Sequence, residues 1–253
     1  MDEPLIHLDR RSCYTVITIN RPRHGNALSF EAIGSIKQSI IDLQSDQPTP
    51  IVFTGAGEKF FCAGGDIKSY TKIHSEVELE EIFGAARDLL DMIEAYPCAV
   101  IAAINGWALG GGAELALACD FRVIEEHASV GFPQVRLGII PGWDGIERLS
   151  RLVGFGNAKQ LFLTGEPMAS SDTVKTGLAH WCVPKGESLK KSTELCEAFV
   201  KLPQAAFRVA KEQVLKAYSG GYTKTEARGS FARLWFSAEH RDAERDFSNK
   251  SLP

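Results

Sequence analysis

The chain has 253 residues, 44% of them hydrophobic and 24% charged, a composition that supports a globular protein with a substantial core. A formal net charge of -4 with scattered basic residues argues against a nucleic-acid partner. No stretch reaches the roughly 18 to 20 apolar residues of a membrane span, and the acidic start MDEPLIHLDRR lacks the apolar centre of a signal peptide, so no membrane partner and a cytoplasmic location are expected.

Taken in chain order, alternating apolar residues in LIHLDRR and CYTVITIN predict a hairpin, NRPRHGN a loop, and the segment from Phe30 to Leu43 a helix. IVFTGAG reads as a strand ending in glycines, and FFCAGGDIKSY as a short strand and a second glycine turn before a helix from Glu76 to Ala95. CAVIAAING is a continuous apolar run, the signature of a strand buried on both faces. It leads into GWALGGGAELALACD, where Ala113 to Ala118 read as a buried helix. DFRVI and ASVG follow as short strands, FPQVRLGIIPGWDG as a loop, and a helix begins near Ile146. From Asn157 onward helical patterns dominate, in NAKQLFLTG, SSDTVKTG, Ser188 to Lys201, Ala205 to Tyr218 and Tyr222 to Phe247. The recurring order of strand, strand and helix implies an α/β coil of structural repeats. The six cysteines, Cys13, Cys62, Cys98, Cys119, Cys182 and Cys196, lack CxxC spacing and lie mostly in apolar runs, which predicts reduced core thiols and no metal site.

Two motifs carry chemistry. FCAGGD and LGGGAE each place glycines where a strand ends and a helix starts, so backbone N–H groups are left without helical partners. Tight turns alone would account for either motif. Converging on one point, donors from both would stabilise a developing oxyanion by about 2.7 to 4 kcal/mol each. Glu114 lies one turn into an apolar helix, where the helix N-terminus favours its ionised form and the apolar surroundings disfavour it. That is the balance of a general acid or base; a buried ion-pair partner is the structural alternative.

FFCAGGDIKSY, AVIAAINGWALGGGAELALACDFRV and FPQVRLGIIPGWDGIERLSRLVG resemble the enoyl-CoA hydratase/isomerase (crotonase) family in order and spacing, as do ITINRPRHGNALS and LTGEPMASSDTVKTGLAHWCVP. The resemblance implies an α/β spiral of ββα repeats over 1–195, carrying the acyl-CoA site, and a C-terminal helical trimerisation region over 196–253. It implies a homotrimer or a hexamer made of two trimers. The substrate would be an acyl thioester of coenzyme A or of an acyl carrier, with coenzyme A entering as part of the substrate and no separate cofactor. By motif position the oxyanion donors are Gly65 and Gly111. Ala63, Gly64, Asp66, Ile67 and Lys68 fall on the family's nucleotide-binding loop, joined by Arg23 and by Lys250 from near the C-terminus. Solvated surface charge is the alternative for Arg23, Lys68 and Lys250.

The family's hydratases use two catalytic glutamates. Glu114 matches the first, whereas Gln134 occupies the place of the second, and an amide orients water but cannot take its proton. Asp144 in PGWDG offers either a second proton carrier or, with Glu147, a capping box for the helix that follows. A carboxylate found in other branches of the family aligns at Gly142 here. Trp107, Phe132 and Trp143 flank the motifs as walls of an acyl pocket or as plain core. His24 and His127 read as loop residues. Hydration or dehydration of an unsaturated acyl thioester is the expected reaction. Double-bond isomerisation, decarboxylation, and hydrolysis of a carbon–carbon or thioester bond are its rivals on the same scaffold; a role as a non-enzymatic assembly partner is disfavoured by the retention of Glu114 beside three glycines.

Overall fold

The computed structural model describes residues 3–46, 48–71 and 73–249. The chain divides after Cys196 into two compact units. In the first, β1 (Ile6–Arg10) and β2 (Thr15–Ile19) form the antiparallel hairpin, with Ile6 opposite Ile19 and Arg10 opposite Thr15. Helix α1 (Phe30–Ser45) starts where the Ser29 hydroxyl accepts the Ala32 N–H, and it buries Ile33, Ile36, Ile40 and Leu43 at helical spacing. Strands β3 (Ile51–Gly55) and β4 (Phe60–Cys62) precede the single turn α2 (Ile67–Tyr70) and the long helix α3 (Glu76–Glu94), which packs on α1.

The same order then repeats. Strands β5 (Val100–Ile104) and β6 (Trp107–Leu109) lead into α4 (Gly111–Ala118). Next, β7 (Phe121–Glu125) and β8 (Ser129–Gly131) lead through a 3₁₀ turn at Pro133–Leu137 into α5 (Gly145–Thr164). In each repeat the first strand joins a six-stranded sheet and the second a four-stranded sheet. The larger sheet has the order β1-β2-β3-β5-β7-β10, with β10 at Trp181–Val183. The smaller has the order β4-β6-β8-β9, with β9 at Met168–Ala169. Beyond the hairpin the larger sheet is parallel, and β3 and β5 are buried along their whole length. Their near-continuous apolar sequences follow from that burial.

Several expectations are corrected. Helices dominate after Asn157 as expected, but two unexpected strands, β9 and β10, extend the two sheets around the short helix α6 (Ser170–Lys175). Strands of two or three residues carry no readable periodicity, and only pairing with β8 and β7 makes them strands. For the same reason β6 was invisible between its glycines. Within α5, Gly154 at φ 77 and ψ 165 breaks the helix into two segments. Cys182 is exposed and Cys13 half-buried, so the core thiols are Cys62, Cys98, Cys119 and Cys196.

Helix α7 (Ser188–Phe199) leads into the second unit, which holds α8 (Gln204–Ser219), α9 (Lys224–Trp235) and α10 (Ala238–Asn249). The expected helix from Tyr222 to Phe247 is therefore two, parted where the Ser237 hydroxyl accepts the His240 N–H. The Glu239 carboxylate accepts the N–H groups of Gln204 at 2.6 Å and Ala205 at 3.0 Å, satisfying orphan donors at the start of α8.

Candidate active site

The run Gly110-Gly111-Gly112 is explained by three separate constraints. Gly110 has φ 52 and ψ -124, a conformation closed to side-chain-bearing residues. A Cβ on Gly111 would stand 2.5 Å from the Trp143 ring, and one on Gly112 would stand 2.1 Å from the carbonyl oxygen of Cys62. Helix α4 thus lies directly against β4. All its residues are buried, and Arg122 closes its far end by donating to the carbonyls of Ala116 at 3.1 Å and Cys119 at 2.6 Å.

Glu114 projects from the first turn of α4 and is 1% exposed. Its Oε1 accepts the backbone N–H groups of Trp143 and Gly145, both at 2.9 Å, and its Oε2 accepts Gln134 Nε2 at 3.1 Å. Burial pushes its pKa up to about 7, against those two backbone hydrogen bonds and the charge of Arg148, which favour the carboxylate. Arg148 also secures the loop that supplies the donors: it binds Trp143 O at 2.7 Å while pairing with Asp91 at 2.6 Å and Glu94 at 3.0 Å on α3. The Oε1 atom of Gln134 is buried and, among the described residues, meets no hydrogen-bond partner. A buried acceptor of this kind is costly unless a ligand or water uses it.

The other glycine turn comes to the same place. Leu28 bridges to Gly65 by accepting the Asp66 N–H at 3.0 Å and donating to Gly64 O at 2.8 Å, which leaves the Gly65 N–H on the opposite side. Among the described residues neither the Gly65 nor the Gly111 N–H donates to a protein acceptor, and both residues line the cavity that holds Glu114. Gly64 has φ 107, and a Cβ there would sit 3.1 Å from Gly111 N, so the two turns are in contact. The FCAGGD loop is tied down by Arg21, which donates to Asp66 Oδ2 at 2.7 Å and to the Ala27 carbonyl. Burial raises the Asp66 pKa, but the Arg21 hydrogen bond and charge outweigh it and hold the carboxyl below its ordinary value.

Glu114, Gln134, Gly65, Gly111, Trp143, Ala63, Gly64 and Ile67 are all brought together around one cavity of about 110 Å³. Phe132 is not: it is core, with its ring edge-on to Phe162 at 5.0 Å. Trp107 stands on β6 opposite Phe60, 40% exposed, and does not line the cavity. Asp144 occupies the N-cap position of α5 at φ 63 but makes no side-chain bond to the helix start. The capping box is therefore absent, because a left-handed Asp144 cannot present its carboxylate as an extended N-cap does. Its exposed side chain lines a separate surface depression with Glu147 and Arg151, outside the Glu114 cavity. Asp66 is committed to Arg21, Arg23 and Lys68 are exposed on the surface, and Lys250 lies outside the described residues. Exposed His24 lies in the 3₁₀ turn Pro22–His24, and His127 Nε2 lies 3.2 Å from the Glu58 carbonyl.

Sequence reasoning missed Tyr70, Phe83, Leu137, Ile139 and Ile140 as lining residues, and Arg21 and Arg148 as supports. The apolar run LGII within an apparent loop was the one available signal. Gly142 has no room for a side chain, since a Cβ would meet the Phe83 ring at 2.7 Å. Among the described residues no cluster of His, Cys, Asp or Glu is arranged to hold a metal, and no helix is long and apolar enough to cross a membrane.

A family model described as enoyl-CoA hydratase/isomerase matches residues 9–246. A short-chain-enoyl-CoA hydratase of Clostridium acetobutylicum is 35% identical over 208 residues, covering 82% of this chain and 79% of its own. A crotonyl-CoA hydratase of Syntrophomonas wolfei is 37% identical, with 81% of this chain and 79% of the relative covered. The crystal structure of an enoyl-CoA hydratase from Bacillus anthracis superposes with a TM-score of 0.89 at 32% identity, over 99% of this chain and 98% of that one.

Proposed function

The chain belongs to the enoyl-CoA hydratase/isomerase family, and on that premise we propose that it adds water to, or removes it from, an unsaturated acyl thioester of coenzyme A or an acyl carrier. The thioester carbonyl sits between the N–H groups of Gly65 and Gly111, which take up the charge of an enolate-like state. Glu114 as carboxylate takes a proton from water. The resulting hydroxide adds to the β-carbon, and Glu114 returns the proton to the α-carbon. Gln134 holds that water through Oε1 while its Nε2 fixes Glu114 in place.

The observation that carries this reading is the buried, unpartnered Gln134 Oε1 beside Glu114, an acceptor suited to a water O–H. The nucleotide end of the substrate lies along the backbone of residues 63–68 with Arg23 nearby. A trimeric assembly through the helices of residues 196–253 completes the proposal.

Isomerisation is the second reading, favoured by one fact: among the described residues Glu114 is the only carboxylate lining the cavity. A single group is enough to move a proton from the α-carbon of a 3-enoyl thioester to its γ-carbon. Trans-2-enoyl-CoA and 3-enoyl-CoA substrates separate the two by mass spectrometry, since hydration gains the mass of water and isomerisation leaves mass unchanged. Water addition is expected. Exclusive conversion of 3-enoyl to 2-enoyl product would establish the second reading, and turnover of a malonyl-type thioester or release of free coenzyme A would overturn both. Gln134→Ala is expected to slow hydration by about 10²-fold or more and isomerisation less, since isomerisation loses only the hydrogen bond to Glu114 and not the held water.

A further inference from the structure

Beside the Glu114 cavity, at Tyr70 and Phe83, whose ring centroids lie 5.3 Å apart, lies a groove of about 1180 Å³ between α2, α3 and the segment after the 3₁₀ turn. Seven residues, Ile67, Tyr70, Phe83, Leu137, Ile139, Gly142 and Ile140, line both spaces, so the two adjoin. The larger space exceeds the roughly 300 to 1,000 Å³ of ordinary small-molecule pockets.

Its walls are apolar side chains left open to solvent: Ile140 is 71% exposed, Ile67 61% and Leu137 59%. Contiguous apolar surface of this kind marks a binding groove, because scattered exposure would not place these side chains on one path. The groove's charged groups are already matched. Arg87 pairs with Glu80 at 2.5 Å and donates to the Gly142 carbonyl at 3.0 Å, so its charge is answered by the protein rather than reserved for a carboxylate on the ligand.

We propose that this groove receives the tail of the acyl group, and that the preferred substrate is a medium- or long-chain hydrocarbon acyl thioester rather than a four-carbon one. The inference rests on the thioester site described above and commits its neighbour to a hydrocarbon occupant. The reactive end of every substrate meets Glu114 in the small cavity, and carbons beyond the fourth or fifth extend past Tyr70 and Phe83 to lie against Ile67, Leu79, Ile139 and Ile140. In this respect the chain departs from its relatives that are named for short-chain and crotonyl substrates.

The test uses the full-length protein and two matched series of four, six, eight and ten carbons: saturated acyl-CoAs for binding by calorimetry, and trans-2-enoyl-CoAs for turnover. Affinity and kcat/KM are expected to rise by about twofold per methylene, since a half-covered methylene gains roughly half of what full burial gives. Ile140→Asp and Leu79→Asp, both at exposed positions, are each expected to cut the ratio of ten-carbon to four-carbon kcat/KM at least tenfold.

Length-dependent binding without turnover would leave the groove standing and remove the proposed reaction. Turnover with a flat or falling length profile would overturn the groove and spare the reaction; that result is also expected if a second copy of the chain covers this surface. Absence of binding by any acyl-CoA would overturn both.

Discussion

A carboxyl group buried like Glu114 is useful only if its protonation can change near the working pH, and its surroundings set that balance. Desolvation favours the acid, the backbone N–H groups of Trp143 and Gly145 and the charge of Arg148 favour the carboxylate, and the result is a pKa of about 7. Because water activation needs the carboxylate, kcat/KM for hydration should climb with pH through about 7 and then level off; a profile flat from pH 6 to 8 would remove Glu114 as the base. The same shift has a stability signature. Between the ordinary value of 4.5 and about 7 the folded protein keeps a proton that the unfolded chain releases, so this group's contribution is greatest below pH 4.5 and is lost as pH rises to about 7. Glu114→Gln abolishes that loss, and Gln134 can accommodate it by turning its amide so that Oε1 accepts from the new NH₂. The variant should lose about 10²- to 10⁴-fold in activity. Its melting temperature relative to the parent should be higher at pH 8 than at pH 5, and equal offsets at the two pH values would contradict the burial argument.

Among elements, the site depends on how α4, α5 and α3 are joined. The loop before α5 offers the Trp143 and Gly145 N–H groups to Glu114 only because Arg148, one turn into α5, holds the Trp143 carbonyl and ties it to Asp91 and Glu94. Arg148 does not line the Glu114 cavity, so we assign it a positioning role. Replacing it with methionine keeps most of the side-chain volume but strands Glu94, which is 22% exposed, and frees the loop. Arg148→Met should cost about 2 to 3 kcal/mol of stability. It should also move the pH midpoint of kcat/KM upward, since Glu114 loses both a favourable charge and well-placed donors. Loss of stability with an unmoved midpoint would reduce Arg148 to a purely structural role.

For the whole molecule, two sheets built from alternate strands bring the ends of β4 and β6 side by side, and with them two glycine turns separated by more than forty residues of chain. The second unit exposes large apolar side chains of its own, Val214, Phe231, Phe236 and Phe247 among them. Our trimer proposal gives those faces a partner. Light scattering on the purified protein should return three or six times the chain mass of 27.7 kDa, and Phe236→Asp should shift it toward the single chain. A monomeric parent protein would end that proposal.

The strands buried on both faces, the amphipathic α1 and α3 and the strand-strand-helix order were legible because burial imposes its period directly on sequence. Glu114 and the two glycine turns were legible as well, since a lone carboxylate in an apolar helix and glycines at strand ends break local rules, whereas Gln134 stood out only through the family resemblance. Strands β6, β9 and β10 were not, being too short to show a period without their partners. Nor was the outward position of Asp144, whose capping spacing is contradicted by a backbone turned left-handed, or the retreat of Trp107 from the cavity. The long groove was equally hidden, because Ile67, Leu79 and Ile140 come from three distant segments. Local sequence singled out Glu114 and the two glycine turns, through the cost of placing such residues where they are. Only the tertiary structure decided what faces them, because that depends on which distant segments the two sheets bring together.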